Sequence, residues 1–134
     1  MVSSLRRFVD RKRVGEAIAR AEASTGASIS VKIAPRISGD IHAAALRALH
    51  VHGLTRRPER NAVLFFVVPS RREFAVVGDT VAHDRLGQEA WNSVVAITEK
   101  HLRAGDPTAA LVAGIEEVGR YLARHFPLGP ESGT

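Results

Sequence analysis

The chain has no cysteine, a single methionine, a single tryptophan and a single tyrosine. Without cysteine there is no disulfide scaffold, no thiolate zinc or iron–sulfur site and no cysteine nucleophile, which removes the phosphatases that depend on one. Long apolar runs are missing too. The longest, Ala62 to Val68, is seven residues, far below the roughly 20 needed for a membrane-spanning helix, so no segment is expected to cross a bilayer. Arg6, Arg7, Arg11, Lys12 and Arg13 crowd the start of the sequence. No apolar stretch follows them, so they do not read as a secretory signal, and a cytoplasmic location is expected. Also absent are the G-x-x-x-x-G-K phosphate loop, the G-x-G-x-x-G dinucleotide fingerprint, H-E-x-x-H, G-x-S-x-G and an EF-hand loop.

What is present suits a soluble globular domain. The 134 residues are 45% hydrophobic and 25% charged, enough for one core and too few for two ordinary domains. Nineteen basic against 14 acidic residues leave a net charge of +5, but 16 of the 19 are arginine. That bias makes the high isoelectric point a weak pointer to any anionic partner.

Periodicity gives the elements. Asp10 caps a first helix with apolar positions Val14, Ala17, Ile18 and Ala21, stopped at Thr25-Gly26. Ile29, Val31 and Ile33 alternate with polar residues as a strand. Gly39-Asp40 opens a second helix that Gly53 closes, and a basic loop follows to Arg60. Ala62–Val68 has no polar face, as in a central strand covered on both sides. Pro69-Ser70-Arg71-Arg72 then turns the chain into a third strand over Phe74–Val77. A third helix is expected from Leu86, and a fourth after Gly105-Asp106-Pro107. The order predicts an α/β fold: a three-layer α/β/α sandwich, its small mixed sheet made of one parallel crossover and a hairpin, with helices on both faces. The expected division is a basic N-terminal segment at 1–9, one domain at 10–127 and a disordered tail at 128–134.

Candidate chemistry is sparse. His50 and His52 stand two apart on a helix, so they face different ways and do not share one metal ion. The arginine clusters lack interleaved aromatics and a recognition helix, which disfavours nucleic acid. Trp91 and Phe126 read as packing residues. Strand direction is more informative. With strands one and two parallel and three antiparallel, Ser28, Arg60, Asn61, Gly78 and Asp79 share one sheet edge, and Thr25 and His125 come near it. There Asp79 and Asp84, five apart in a loop, are candidate ligands of a hard cation such as calcium or magnesium, although two carboxylates are few for a tight site. The structural alternative is that Asp79 caps the following helix while Arg60 pairs with it.

The sequence resembles the TPM domain family, in particular its short members. The resemblance rests on Ala21-Glu22 and Thr25, Ile29-Ser30-Val31, Glu59-Arg60-Asn61-Ala62-Val63-Leu64, Val77-Gly78-Asp79, Trp91, Gly105-Asp106 and His125-Phe126-Pro127. It spans residues 10–127 and implies an α/β/α fold. It also implies links to divalent-metal binding in a groove at the sheet edge, to phosphatase activity in thylakoid members associated with photosystem II repair, and to the upkeep of envelope or membrane proteins. Where members commonly read T-S-G-E before the first strand, this chain reads Thr25-Gly26-Ala27-Ser28, so Ser28 replaces a carboxylate. Val81 stands where the family often has glycine.

Three functions are therefore expected, in this order. The first is a non-catalytic interaction or accessory domain whose partner is a protein, such as a membrane-anchored TPM protein. The second is a metal-assisted phosphatase with Asp79 and Asp84 as ligands and Arg60 holding the phosphate. The third is a basic surface for nucleic acid or anionic lipid.

Overall fold

A computed structural model describes residues 9–128. Most of the expected N-terminal basic segment and the tail after Leu128 lie outside the described residues. The elements are α1 (Arg11–Glu22), β1 (Ser28–Ile33), α2 (Ile41–Val51), β2 (Ala62–Val68), β3 (Glu73–Gly78), α3 (Thr80–Leu86), α4 (Gln88–Arg103) and α5 (Pro107–His125), with 3₁₀ turns at Leu54–Arg56 and Pro69–Arg71. The fold is of the α/β sandwich class, with one parallel and one antiparallel strand pair in a three-stranded sheet ordered β1-β2-β3. Two compact units are present: Ser28–Arg85, and the described residues before and after it. No helix among the described residues is long and apolar enough to cross a membrane.

In the first unit every residue of β2 is buried, as its lack of a polar face requires. Ala62, Leu64, Phe66 and Val68 form one core with Val77 of β3, Ala34, and Ala44, Ala45 and Leu49 of α2. Side chains two apart on a strand share a face, so this set is one side of the strand packed under the crossover helix. Each large apolar side chain buried this way contributes about 1.5–3 kcal/mol. Asp40 caps α2 by accepting from the Ala43 amide at 2.9 Å. Gly53, at φ +75°, ends it in the left-handed conformation that glycine tolerates.

In the second unit α1 and α5 run side by side in the same direction, because bonds join their like ends. The Asp10 amide donates to Thr108 Oγ1 at 2.8 Å where both helices begin. Where both end, Thr25 Oγ1 lies 2.6 Å from the Phe126 carbonyl and 3.0 Å from that of Leu122, and the Gly26 amide donates to Phe126 O at 2.9 Å. The segment after α1 thus satisfies the Phe126 carbonyl just past α5, while the Leu122 carbonyl is also bonded by the Phe126 amide at 2.7 Å. Between these ties the helices approach closely, since a Cβ on Gly119 would lie 2.9 Å from that of Ala21. Leu111, Ile115, Val118 and Leu122 of α5 are buried, as are Val94 and Trp91 of α4.

The sequence reading treats residues 79–85 as a loop and starts the next helix at Leu86. The structure instead has a separate helix α3, with Gly87 at φ +83° dividing it from α4. Its one short apolar face, Ala82 and Leu86, is buried, and its first amides are taken by the adjacent Asp79 carboxylate and by the Arg60 carbonyl, distant in sequence.

Candidate functional site

The register places the expected residues along one sheet edge. Ser28 at the start of β1 lies opposite Ala62 at the start of β2, and Val63 lies opposite Gly78 at the end of β3. The Asp79 amide closes the corner by donating to the Ala62 carbonyl at 2.8 Å. Arg60 and Asn61 immediately precede β2, so Ser28, Arg60, Asn61 and Asp79 are brought together.

Asp79 is the centre of this edge. It is buried, at 3% exposure, and both its carboxylate oxygens are occupied. Arg60 Nε donates to Oδ2 at 2.6 Å and Arg60 Nη2 to Oδ1 at 2.8 Å, a two-point pairing. The Thr80 amide also donates to Oδ1, at 2.8 Å. The bonds from Arg60 hold the Asp79 carboxyl below the usual carboxylate range, aided by the Thr80 amide and opposed by burial. The same pairing raises the guanidinium of Arg60 above its ordinary value.

The backbone of Arg60 is engaged as fully as its side chain. Its φ of +52° is unusual for a residue other than glycine. In that conformation its carbonyl accepts from the Val81 and Ala82 amides at 3.1 and 3.3 Å. With the Thr80 amide taken by Asp79, the amides that open α3 are satisfied by these two residues. Sequence reasoning anticipates the pairing as its structural alternative, but nothing in the sequence signals the carbonyl cap, because arginine is not a residue that marks a left-handed turn.

The remaining expected residues take other places. Asp84 is exposed and lies on α3, not in a loop beside Asp79. Asn61 is buried and accepts from Arg57 Nε at 3.2 Å. His50 lies in the last turn of α2, with Nδ1 3.1 Å from Thr55 Oγ1, and His52 follows the helix. His125 is the last residue of α5, and Thr25 bonds to the carbonyls around it. Among the described residues no group of three or more His, Cys, Asp or Glu side chains is placed to hold a metal ion. The donor set at this edge does not fit a divalent cation: its buried carboxylate is engaged at both oxygens, Asp84 is exposed on the following helix, and Ser28 brings no charge.

In the helical unit a shallow groove of about 450 Å³ lies among Ala17, Ala21, Gly119 and Ala123, rimmed by Arg20, Arg120 and Arg124. Arg20 pairs with Glu116 and Arg120 with Glu117, while Arg124 lies over the Tyr121 ring. Glu117 also accepts from Ser93 Oγ at 2.5 Å, and this bond, with Arg120, holds its carboxyl below the usual range against the cost of burial. Two parallel helices place their negative dipole ends together, and arginines there are expected on that ground alone.

The comparisons with known proteins agree with this architecture. The structure of the BA42 protein from the psychrophilic bacterium Bizionia argentinensis matches with a TM-score of 0.85 at 24% identity, covering 92% of this chain and 88% of that one. The N-terminal domain of the cg2496 protein from Corynebacterium glutamicum matches at 0.66 and 20% identity, over 83% and 70% of the two chains. At these identities the likeness shows the fold alone. No curated protein matches the chain. The sequence profile of the TPM domain, however, matches residues 7–121, most of the length. The chain belongs to the TPM domain family.

Proposed function

We propose that this TPM domain is a non-catalytic accessory domain that acts by binding another protein, and that its partner is a membrane-anchored protein of the same family engaged in envelope or membrane-protein upkeep. One observation carries the non-catalytic part. Among the described residues, the one buried carboxylate at the edge where the strand ends converge is taken up at both oxygens by Arg60, and at one of them also by the Thr80 amide. Such engagement disfavours metal ligation and water activation at Asp79, and it directs two N–H groups of Arg60 at the carboxylate rather than at a phosphate. The choice of partner follows the family membership and the resemblance to short members.

The test is hydrolysis of an aryl phosphate by purified protein with millimolar calcium, magnesium or manganese, beside Asp79→Ala. The expected result is no turnover that distinguishes the two proteins. Turnover by the wild type that disappears in Asp79→Ala overturns the reading in favour of a metal-assisted phosphatase. Co-purification with a membrane-anchored TPM protein from the same cell, retained in high salt, is the expected positive result. Binding that vanishes with salt and transfers to DNA or anionic vesicles points to the basic surface instead.

A further inference from the structure

A divalent cation at a protein edge needs carboxylate oxygens held at a fixed point, with lone pairs directed at an open position. Asp79 meets the first requirement, since it is buried where β1, β2 and β3 meet at one edge. It fails the second. The guanidinium of Arg60 lies across both oxygens at 2.6 and 2.8 Å, so it covers the two-oxygen face that a calcium ion would take.

The backbone that carries this guanidinium is a fixed part of the edge. The carbonyl of Arg60 accepts two amides of α3, its own amide donates to the Arg57 carbonyl at 3.1 Å, and its backbone is held at φ +52°. The point from which the side chain departs is therefore set by the start of β2 and the start of α3 together. We infer that Arg60 is the resident cation of this edge: its guanidinium takes the charge-balancing place of a divalent ion at Asp79, so that the three strand ends and α3 assemble without one. Ser28, uncharged on the neighbouring strand, agrees with an edge whose single buried negative charge is balanced by a single positive one.

This inference rests on the same pairing as the proposed function, but the two fail differently. Cation binding without hydrolysis defeats the inference alone. Hydrolysis that needs Asp79 but no metal defeats the non-catalytic reading alone.

The experiment is thermal unfolding of chelator-treated wild type, Arg60→Gly, Asp79→Asn and the double variant Arg60→Gly/Asp79→Asn, each with and without millimolar calcium, magnesium or manganese. Glycine suits the left-handed backbone, so Arg60→Gly removes the guanidinium and keeps the carbonyl cap. The expected result is a wild-type midpoint indifferent to every cation. Arg60→Gly melts lower and is raised by at least one cation, and the double variant does not respond. A wild-type midpoint raised by a cation and indifferent in Asp79→Asn overturns the inference, and so does an Arg60→Gly midpoint that no cation moves. If Arg60→Gly does not fold, the Nε–H resonance of Arg60 in the wild type decides: unchanged on adding cation supports the inference, and a move to the position of a free arginine overturns it.

Discussion

The two ends of the sheet use the same unusual backbone for opposite purposes. Arg60, before β2, and Arg72, before β3, both sit at φ +52°. At the hairpin end Arg72 only completes the 3₁₀ turn, donating its amide to the Pro69 carbonyl at 3.0 Å. The ties there are exposed and mostly to backbone: Ser70 Oγ to Pro35 O at 2.9 Å, Arg71 Nη1 to Gly39 O at 2.7 Å, and the Arg71–Glu73 pair. At the other end Arg60 grips a buried carboxylate and caps a helix. A left-handed arginine is thus not in itself a sign of function; what distinguishes Arg60 is the withdrawn charge it neutralises and the number of elements that depend on it.

Asp79→Ala is the most damaging way to break this contrast. It removes charged hydrogen bonds worth about 1.5–3 kcal/mol. The lower part of that range is expected because Arg60 is 42% exposed and water competes for it. Chemical denaturation should show the loss, and hydrogen exchange should show α3 opening first. A sharper comparison sets Arg60→Gly against Arg72→Gly. Both relieve a left-handed conformation that costs roughly 1–2 kcal/mol outside glycine, and both lose about 0.5–1 kcal/mol to the freer unfolded chain. Arg72→Gly should therefore leave the melting midpoint unchanged or raise it, whereas Arg60→Gly, which also loses the pairing with Asp79, should lower it. Equal effects would show that the pairing with Asp79 adds nothing.

Acid should separate the two ends as well. The carboxyl of Asp79 is depressed in the folded state, chiefly by Arg60, so between the folded and unfolded values the unfolded chain holds more protons. Its contribution is complete above the ordinary carboxylate range. It is lost as pH falls below about 4 and onward through the lower folded value. Denaturation midpoints measured down this range should fall less steeply in Asp79→Asn than in wild type. Glu117 is depressed in the same direction and leaves a residual slope in both. The smallest effect is expected at the hairpin end, where Ser70→Ala removes one exposed bond and costs about 0.5 kcal/mol, with the wild-type acid slope retained.

Much of this fold is legible from residues that act locally. Asp10, Asp40 and Asp106 each cap the helix that follows, and Ala62–Val68 is the fully buried strand that its composition predicts. Strand direction also brings Ser28, Arg60, Asn61 and Asp79 to one edge, as the register has it. What is not legible depends on partners far apart in sequence. α3 is only seven residues long, too short for its apolar spacing to stand out, and is started by a carbonyl some twenty residues earlier, that of Arg60. Thr25 and Thr108 look like ordinary turn residues, yet they join α1 to α5 across separations of 101 and 98 residues. Asp84 takes an exposed position on α3, whereas Asp79 is buried just before that helix. Nothing in the spacing of the two carboxylates shows that difference in exposure.

The central claim is that Asp79 is balanced by Arg60 and not by a metal ion. Its most direct test is a crystal structure of the wild-type chain grown in millimolar manganese, whose anomalous signal locates the ion. The account predicts the guanidinium of Arg60 on both oxygens of Asp79 and no manganese at that edge. A manganese ion on Asp79, with Arg60 displaced, would contradict it.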